Sequence, residues 1–182
     1  MIVKLSSRDA TLVPAMAVVS AVGHMAIGPF VNRALHLPGP TLAGVVIMAP
    51  LLVAGALTFR RGMIMLTSTL NGVILSAFIP IGLMAIPIYA VVGLTLELFC
   101  LRSFSVLFRS STAFVAAGAA NAISVLLIAA LALGLRNPLV LALAVGIGFL
   151  AGGFGGTIAS ATASRIRTIY YPNSPGSNSK RR

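Results

Sequence analysis

Few residues of this chain carry side chains suited to acid–base, nucleophilic or metal chemistry. The 182 residues include two carboxylates, Asp9 and Glu97, two histidines, His24 and His36, and one cysteine, Cys100. Two acids so far apart in the sequence do not suit paired-carboxylate catalysis, and a tetrahedral zinc site needs more ligands. The sequence therefore predicts neither an enzyme nor a metal site.

Glu97 is the acid that stands within an apolar segment. A carboxylate near the centre of a bilayer costs several kcal/mol, about 2.5–3.5 for Asp on insertion scales. Either a ligand in a pocket or an interfacial position with an ion pair would offset that cost. If its helix begins at Pro80, Glu97 lies near the helix end and reaches toward Arg102. If the helix begins near Pro87, Glu97 lies about 15 Å deep. We favour the later start, which puts Tyr89, Gly93 and Glu97 on one face, with the glycine leaving room for a ligand.

Further polar residues interrupt the apolar segments. Asn71 and Asn121 are candidates for ligand contacts, although interhelical hydrogen bonding is the more common role of such asparagines. His36 lies in a loop, 32–40, that combines a cation, an imidazole and rigid turn residues, and this loop either caps a pocket or is simply solvated. The candidate substrate-binding residues are Glu97, Tyr89, Gly93, Asn71, Asn121 and His36.

The composition indicates whether the chain is surrounded by water or by lipid. The chain is 58% hydrophobic and only 8% charged, against roughly 25% charged residues in soluble domains, and its mean hydropathy is +1.05. The net charge of +11 resembles that of a nucleic-acid-binding protein, but such proteins do not place their basic residues among long apolar runs. We expect an all-α integral membrane protein that is surrounded by lipid and does not bind nucleic acid.

The apolar residues form six segments of roughly the 17–25 residues that cross a bilayer. Breaks between them coincide with residues that end helices, such as Pro38-Gly39-Pro40 and Asn137-Pro138. The predicted spans are Thr11–Val31, Thr41–Phe59, Met63–Ile79, a fourth within Pro80–Phe104, Ala113–Leu135 and Pro138–Ala163.

The basic residues give the orientation, because cytoplasmic loops are enriched in Lys and Arg. With the N-terminus inside, only Arg33 and Arg136 lie outside, and the other eleven are inside. We therefore predict six transmembrane helices in residues 1–167, with both termini in the cytoplasm. The expected location is the plasma membrane. Residues 168–182 are predicted to be a disordered basic cytoplasmic tail.

Small residues at four-residue spacing mark two helices, where they allow close approach of another helix. One set is the pair Ala17 and Ala21 in the first segment. The other is a ladder in the sixth segment, which packs within the chain or faces another membrane subunit. Its members are Ala144, Gly148, Gly152, Gly156, Ser160 and Ser164.

Together these features resemble the substrate-binding S components of energy-coupling-factor (ECF) transporters. The resemblance covers nearly the whole chain by its helix count and rests on three local motifs. These are Ala17-xxx-Ala21, the Leu-His-Leu-Pro-Gly-Pro turn at 35–40, and Gly93-Leu-Thr-Leu-Glu97-Leu in the fourth segment.

The resemblance implies a subunit that captures a vitamin or related micronutrient, of the thiamine or pyrimidine type. It implies that Ala17 and Ala21 pack against a transmembrane coupling subunit and that Glu97 contacts the ligand. It also implies that partner subunits hydrolyse ATP, and this chain itself contains no Gly-rich Lys-Ser/Thr loop and needs no cofactor. The alternatives are a small-molecule transporter that works alone and a membrane scaffold subunit that transports nothing.

Overall fold

The computed structural model of the chain describes residues 6–35, 41–101 and 107–170, with the side chains of 29–35, 132 and 170 also outside the description. The described residues fold into six α-helices, with short 3-10 and π-helical turns and without a β-strand. The helices are α1 (Ser7–Leu35), α2 (Gly44–Thr58), α3 (Met63–Ser76), α4 (Ala85–Phe99), α5 (Ser110–Leu127) and α6 (Pro138–Tyr170).

Several helix boundaries follow from local chemistry that the sequence already suggested. Asn137 caps α6, since its side-chain oxygen accepts hydrogen bonds from the backbone N–H groups of Leu139 at 3.0 Å and Val140 at 3.4 Å, and Pro138 is the first helical residue. A 3-10 turn at Gly82–Met84 precedes α4, so Pro87 is an early residue of α4. The later of the two predicted starts for the fourth helix is therefore confirmed.

Other boundaries differ from the prediction. Helix α1 continues to Leu35, so the segment around Arg33 is helical and not part of a loop. Helix α6 continues through Tyr170, which places the predicted start of a disordered tail at residue 168 inside a helix, while residues 171–182 lie outside the described part. At the end of α5, residues Ile128–Ala132 form a π-helical turn where a continuous α-helix was expected.

Helix length supports some, but not all, of the six predicted membrane spans. Within residues 6–35, 41–101 and 107–170, four regions are long and apolar enough to cross a bilayer: Ser7–Gly28, Gly82–Phe99, Ser110–Leu131 and Pro138–Ile169. The apolar helices α2 and α3 are shorter, at 15 and 14 residues. The molecule is thus compatible with an all-α membrane protein that has four long apolar helices and two short ones between α1 and α4.

Side-chain contacts show that the starts of α1 and α5 and the ends of α2 and α4 lie at the same end of the bundle. Arg60, after α2, forms a 3.0 Å ion pair with Asp9 at the start of α1, and Arg61 donates to the backbone oxygen of Leu101, just after α4, at 2.9 Å. Phe108, before α5, stacks on Phe59 with ring centroids 5.8 Å apart. The helices therefore alternate in direction.

The same end of the bundle carries most of the described basic residues. The guanidinium of Arg167, near the end of α6, lies 5.2 Å from the centroid of the Phe108 ring. We call this the basic end, defined by the arginines at its helix termini and turns: Arg8, Arg60, Arg61, Arg109, Arg165 and Arg167. Arg136 lies at the opposite end, in the connection between α5 and α6.

The glycine ladder of α6 packs against α5. A Cβ atom added at Gly148 would lie 2.8 Å from the Val125 side chain, and one added at Gly152 would lie 2.5 Å from the backbone oxygen of Ala117. Gly156 similarly faces the backbone of Ala113. Of the two interpretations of the ladder, packing within the chain is confirmed for these glycines, since only hydrogen at Cα permits the approach.

Candidate functional site

Glu97 makes its hydrogen bonds within the chain, at the basic end. Its carboxylate accepts hydrogen bonds from the backbone N–H groups of Gly62 at 2.7 Å, Ile64 at 3.1 Å and Met65 at 3.3 Å. These are N–H groups that the first turn of α3 leaves without intrahelical partners, and a negative charge is favoured there. Glu97 therefore caps α3 from the last turn of α4, at the end of its helix instead of deep in the bundle.

The turn before α3 presents its N–H groups to Glu97 because of its backbone conformation. Phe59 ends α2 in the left-handed region with φ of 52°, and Gly62 follows with φ of +86°. A left-handed residue is readily accommodated at glycine. The segment between α2 and α3 thus bends sharply enough for Glu97 to reach both Gly62 and the first turn of the helix.

Gly93 does not leave room for a ligand beside Glu97. A Cβ atom at Gly93 would lie 2.6 Å from the Cα of Met65 and 2.9 Å from the Cβ of Ser68. The space that the glycine opens is filled by α3, which packs along α4. The room that Gly93 was expected to leave for a ligand is therefore occupied by α3.

Tyr89 is fully buried and links three helices. Its hydroxyl lies 3.3 Å from Nδ1 of His24 on α1, and its backbone oxygen accepts a 2.6 Å hydrogen bond from the hydroxyl of Ser68 on α3. A buried phenol needs such a partner, and the imidazole provides it. This contact gives His24 a role in packing.

Asn71 on α3 differs from these residues because its amide has no partner. The residue is 0% exposed, and within the described part of the chain neither Nδ2 nor Oδ1 is hydrogen-bonded. Leaving a buried donor or acceptor unsatisfied costs about 1–3 kcal/mol each. An asparagine with both groups open is therefore unfavourable unless another molecule supplies the missing hydrogen bonds.

Asn71 stands next to the residues that join α3 and α4. A Cβ atom at the neighbouring Gly72 would lie 2.9 Å from the backbone oxygen of Ala85 and 3.0 Å from the Cβ of Tyr89. One turn earlier, Ser68 makes its hydrogen bond to Tyr89. His24, Ser68 and Tyr89 are joined by hydrogen bonds, and Asn71 follows Ser68 by three residues on α3. We call these four residues the first polar group, in which Asn71 has unused hydrogen-bonding capacity.

A second polar group lies on α5. The Asn121 amide nitrogen donates to the backbone oxygen of Gly148 on α6 at 2.7 Å and to that of Thr41, before α2, at 3.3 Å. Its Oδ1 atom and the hydroxyl of Ser124 are buried and have no hydrogen-bond partner among the residues that the structure describes. Asn121 thus ties three elements together with one half of its amide and leaves the other half open.

The position of both groups along the bundle separates them from the charges. By the 1.5 Å rise per residue, Asn71 lies about 12 Å along α3 from Met63, and Asn121 and Ser124 lie about 16 and 21 Å along α5 from Ser110. Both helices start at the basic end. The unpartnered polar atoms are therefore well inside the bundle, whereas Glu97 is within one turn of its edge.

The remaining predicted site residues do not join these groups. Ala17 and Ala21 are both fully buried, so this small-residue pair packs inside the chain and offers no surface to a coupling subunit. Among the described side chains of α1, the most exposed large apolar ones are those of Val18, Val19 and Val22. His36 lies outside the described residues.

Asn71 and Asn121 were among the site residues predicted from the sequence, whereas Ser124 was not. A signal was present, because Ser124 follows Asn121 by three residues and therefore shares its helix face. In the described ranges, no three His, Cys, Asp or Glu side chains come together.

In comparisons with known proteins, no family model matches this chain, and neither a curated protein nor a solved structure is significantly similar to it.

Proposed function

We propose that this chain is a membrane-embedded subunit that captures a small molecule. The observation that carries the proposal is the fully buried Asn71, whose amide donor and acceptor are both open within an apolar helical bundle. A bound solute would satisfy these groups and offset their desolvation. The second polar group supports the same function, with Asn121 partly structural and partly open.

The class of importer we propose is the ECF type, in which this chain serves as the S component for a vitamin or related micronutrient. Six membrane crossings with both termini in the cytoplasm fit the clustering of arginines at the basic end. In this arrangement the basic end faces the cytoplasm, the cell membrane holds the chain, and separate subunits supply ATP hydrolysis. The chain itself performs no chemical reaction and carries no cofactor.

The coupling surface we propose is the exposed valine face of α1 and not the buried Ala17 and Ala21. Val18, Val19 and Val22 are each about half exposed, at 48%, 52% and 53%. In the membrane such a face meets either lipid or another helix. It is the part of α1 that remains available for a coupling subunit when the chain is folded.

Mass spectrometry of small molecules released from the washed, detergent-purified chain tests the capture function. We expect one compound at close to one molecule per chain, and its complete absence, also after incubation with vitamins and their precursors, would contradict the proposal. Such a result together with a stable membrane complex would favour a scaffold subunit.

A flux assay separates capture from independent transport. Liposomes containing only this chain are expected to bind the released compound without accumulating it, since the proposed energy source lies on other subunits. Uptake by the chain alone would instead indicate a stand-alone transporter.

A further inference from the structure

The positions and partners of the two acidic side chains indicate the charge of the captured molecule. The sequence contains only two carboxylates. Asp9 pairs with Arg60 at 3.0 Å, and Glu97 accepts three backbone N–H groups of the turn and first helical residues of α3. Both are committed at the basic end, so neither provides a counter-ion for a cation inside the bundle.

The interior also provides no described Lys or Arg side chain for an anionic ligand, and Nδ1 of His24 is already paired with the Tyr89 hydroxyl. Among the described residues, the polar atoms left open there are the amide of Asn71, Oδ1 of Asn121 and the hydroxyl of Ser124. Arg136, at the end opposite the basic end, is exposed. Burying an unpaired charge in an apolar environment is far more costly than burying a hydrogen-bonded neutral group.

Asn71 further specifies the arrangement of polar atoms on the ligand. A primary amide offers an N–H donor and a carbonyl acceptor side by side. The matching partner presents an acceptor beside a donor, as the edge of a cyclic amide or an aminopyrimidine does. Two parallel hydrogen bonds of this kind satisfy the amide donor and acceptor of Asn71 together.

Building on the proposed capture function, we infer that the ligand is an uncharged molecule with an adjacent hydrogen-bond donor and acceptor, held by the amide of Asn71. An uncharged ligand excludes an amine-bearing cation, which would be favoured only if the Glu97 carboxylate were free to bind it. It also excludes thiamine, whose thiazolium ring carries a permanent positive charge.

The test compares matched probes that differ in charge. We would measure the melting temperature of the detergent-purified chain with uncharged uracil, cytosine and nicotinamide, with anionic orotate and nicotinate, and with cationic thiamine. The wild type is compared with Asn71→Leu and with the control Thr69→Val, which alters an exposed hydroxyl on the same helix that bonds only to Met65 of its own turn. The charge of any compound that co-purifies is determined by mass spectrometry in parallel.

We expect stabilisation only by uncharged probes or an uncharged co-purified compound, with affinity reduced about tenfold or more in Asn71→Leu and unchanged in Thr69→Val. The ligand-free Asn71→Leu chain is expected to melt at the same or a higher temperature than the wild type, because two unpaired polar atoms are removed. If leucine does not fit, Asn71→Ser removes the amide with less bulk.

Three results would overturn the inference. A charged compound or probe that binds would leave the capture function standing and refute the uncharged class. Equal binding of an uncharged probe by the wild type and both Asn71 variants would refute the role of Asn71. No released compound and no stabilising probe would instead contradict the proposed function itself.

Discussion

At the scale of single residues, the two carboxylates act as structural groups. Glu97 provides an example of a residue whose type suggests ligand binding but whose neighbours give it another role. Its carboxylate satisfies N–H groups at the start of α3, a helix of only 14 residues. A short helix depends more on such a cap than a long one, because a larger share of its N–H groups lie in its first turn.

We predict that Glu97→Leu lowers the free energy of unfolding by about 2 kcal/mol and Glu97→Gln by about 1 kcal/mol, because both remove the charged acceptor and glutamine keeps one oxygen. Denaturant titration in detergent micelles measures these changes. Thr95→Val is the matched control, since Thr95 lies on the same helix and bonds only to Val91 of its own turn.

The binding of the co-purified compound is expected to persist in folded Glu97→Gln. If Glu97→Gln retained full stability while binding was abolished, Glu97 would be a ligand contact after all.

At the scale of helices, small residues and ion pairs decide how the elements meet. On α6, Gly148, Gly152 and Gly156 stand four residues apart and pack closely against α5. A Cβ atom added at Gly146, by contrast, would have nothing within 4 Å. The same residue type therefore has two different consequences on one helix.

We predict that Gly152→Ala destabilises the chain by about 1–3 kcal/mol, because the added methyl would press on the backbone of α5. Gly146→Ala is the control and should be neutral or stabilising by up to about 1 kcal/mol, because alanine favours helix more than glycine does. Thermal unfolding of both variants in the same detergent checks this, and equal effects would contradict the observed packing of α5 on α6.

The start of α1 is held by a capping box and an ion pair. The backbone N–H of Ser6 donates to Asp9 at 3.3 Å, the N–H of Asp9 donates to the Ser6 hydroxyl at 3.2 Å, and the same Asp9 oxygen that accepts from Ser6 lies 3.0 Å from Arg60. Asparagine at position 9 keeps an acceptor for the capping box but removes the charge.

We therefore predict that Asp9→Asn costs about 0.5–1 kcal/mol at low salt. The difference in unfolding free energy between the variant and the wild type should shrink in 1 M salt, because the Debye length there is only about 3 Å. Unfolding titrations at the two salt concentrations measure it, and a loss that is independent of salt would mean that the ion pair does not contribute.

At the scale of the whole molecule, the arginines define two ends with different chemistry. The basic end contains both carboxylates and most of the described cations, while the unpartnered amide and hydroxyl atoms lie deeper in the bundle. With the basic end in the cytoplasm, a solute would reach the polar groups from the opposite side.

Cysteine labelling tests this orientation. In a Cys100→Ala background, Arg136→Cys should react with a membrane-impermeant maleimide in intact cells, and Arg109→Cys should react only after permeabilisation. Both positions are exposed, so a difference in labelling reports the side of the membrane. The reverse pattern would invert the proposed topology, and equal labelling of both would contradict an arrangement with the two positions on opposite sides.

The sequence by itself determined the helical class, the apolar surroundings and most helix positions. These properties depend on composition and on local signals, such as Asn137-Pro138 at the start of α6 and Arg60-Arg61-Gly62 between α2 and α3, which act over a few residues. It also identified Asn71 and Asn121, because asparagine in an apolar segment is conspicuous whatever the fold.

Only the tertiary structure decided what each polar side chain does. Glu97 and Asn71 are both polar residues in apolar segments, yet Glu97 accepts hydrogen bonds from open N–H groups of a neighbouring helix. The amide of Asn71 has no hydrogen-bond partner in the part of the chain that the structure describes. Ala17 and Ala21 lie inward for the same reason, since the side of α1 that faces α2 and α3 is fixed by helix packing. Hydrogen-bond partners and burial depend on distances between residues far apart in the chain, and spacing along one helix does not contain them.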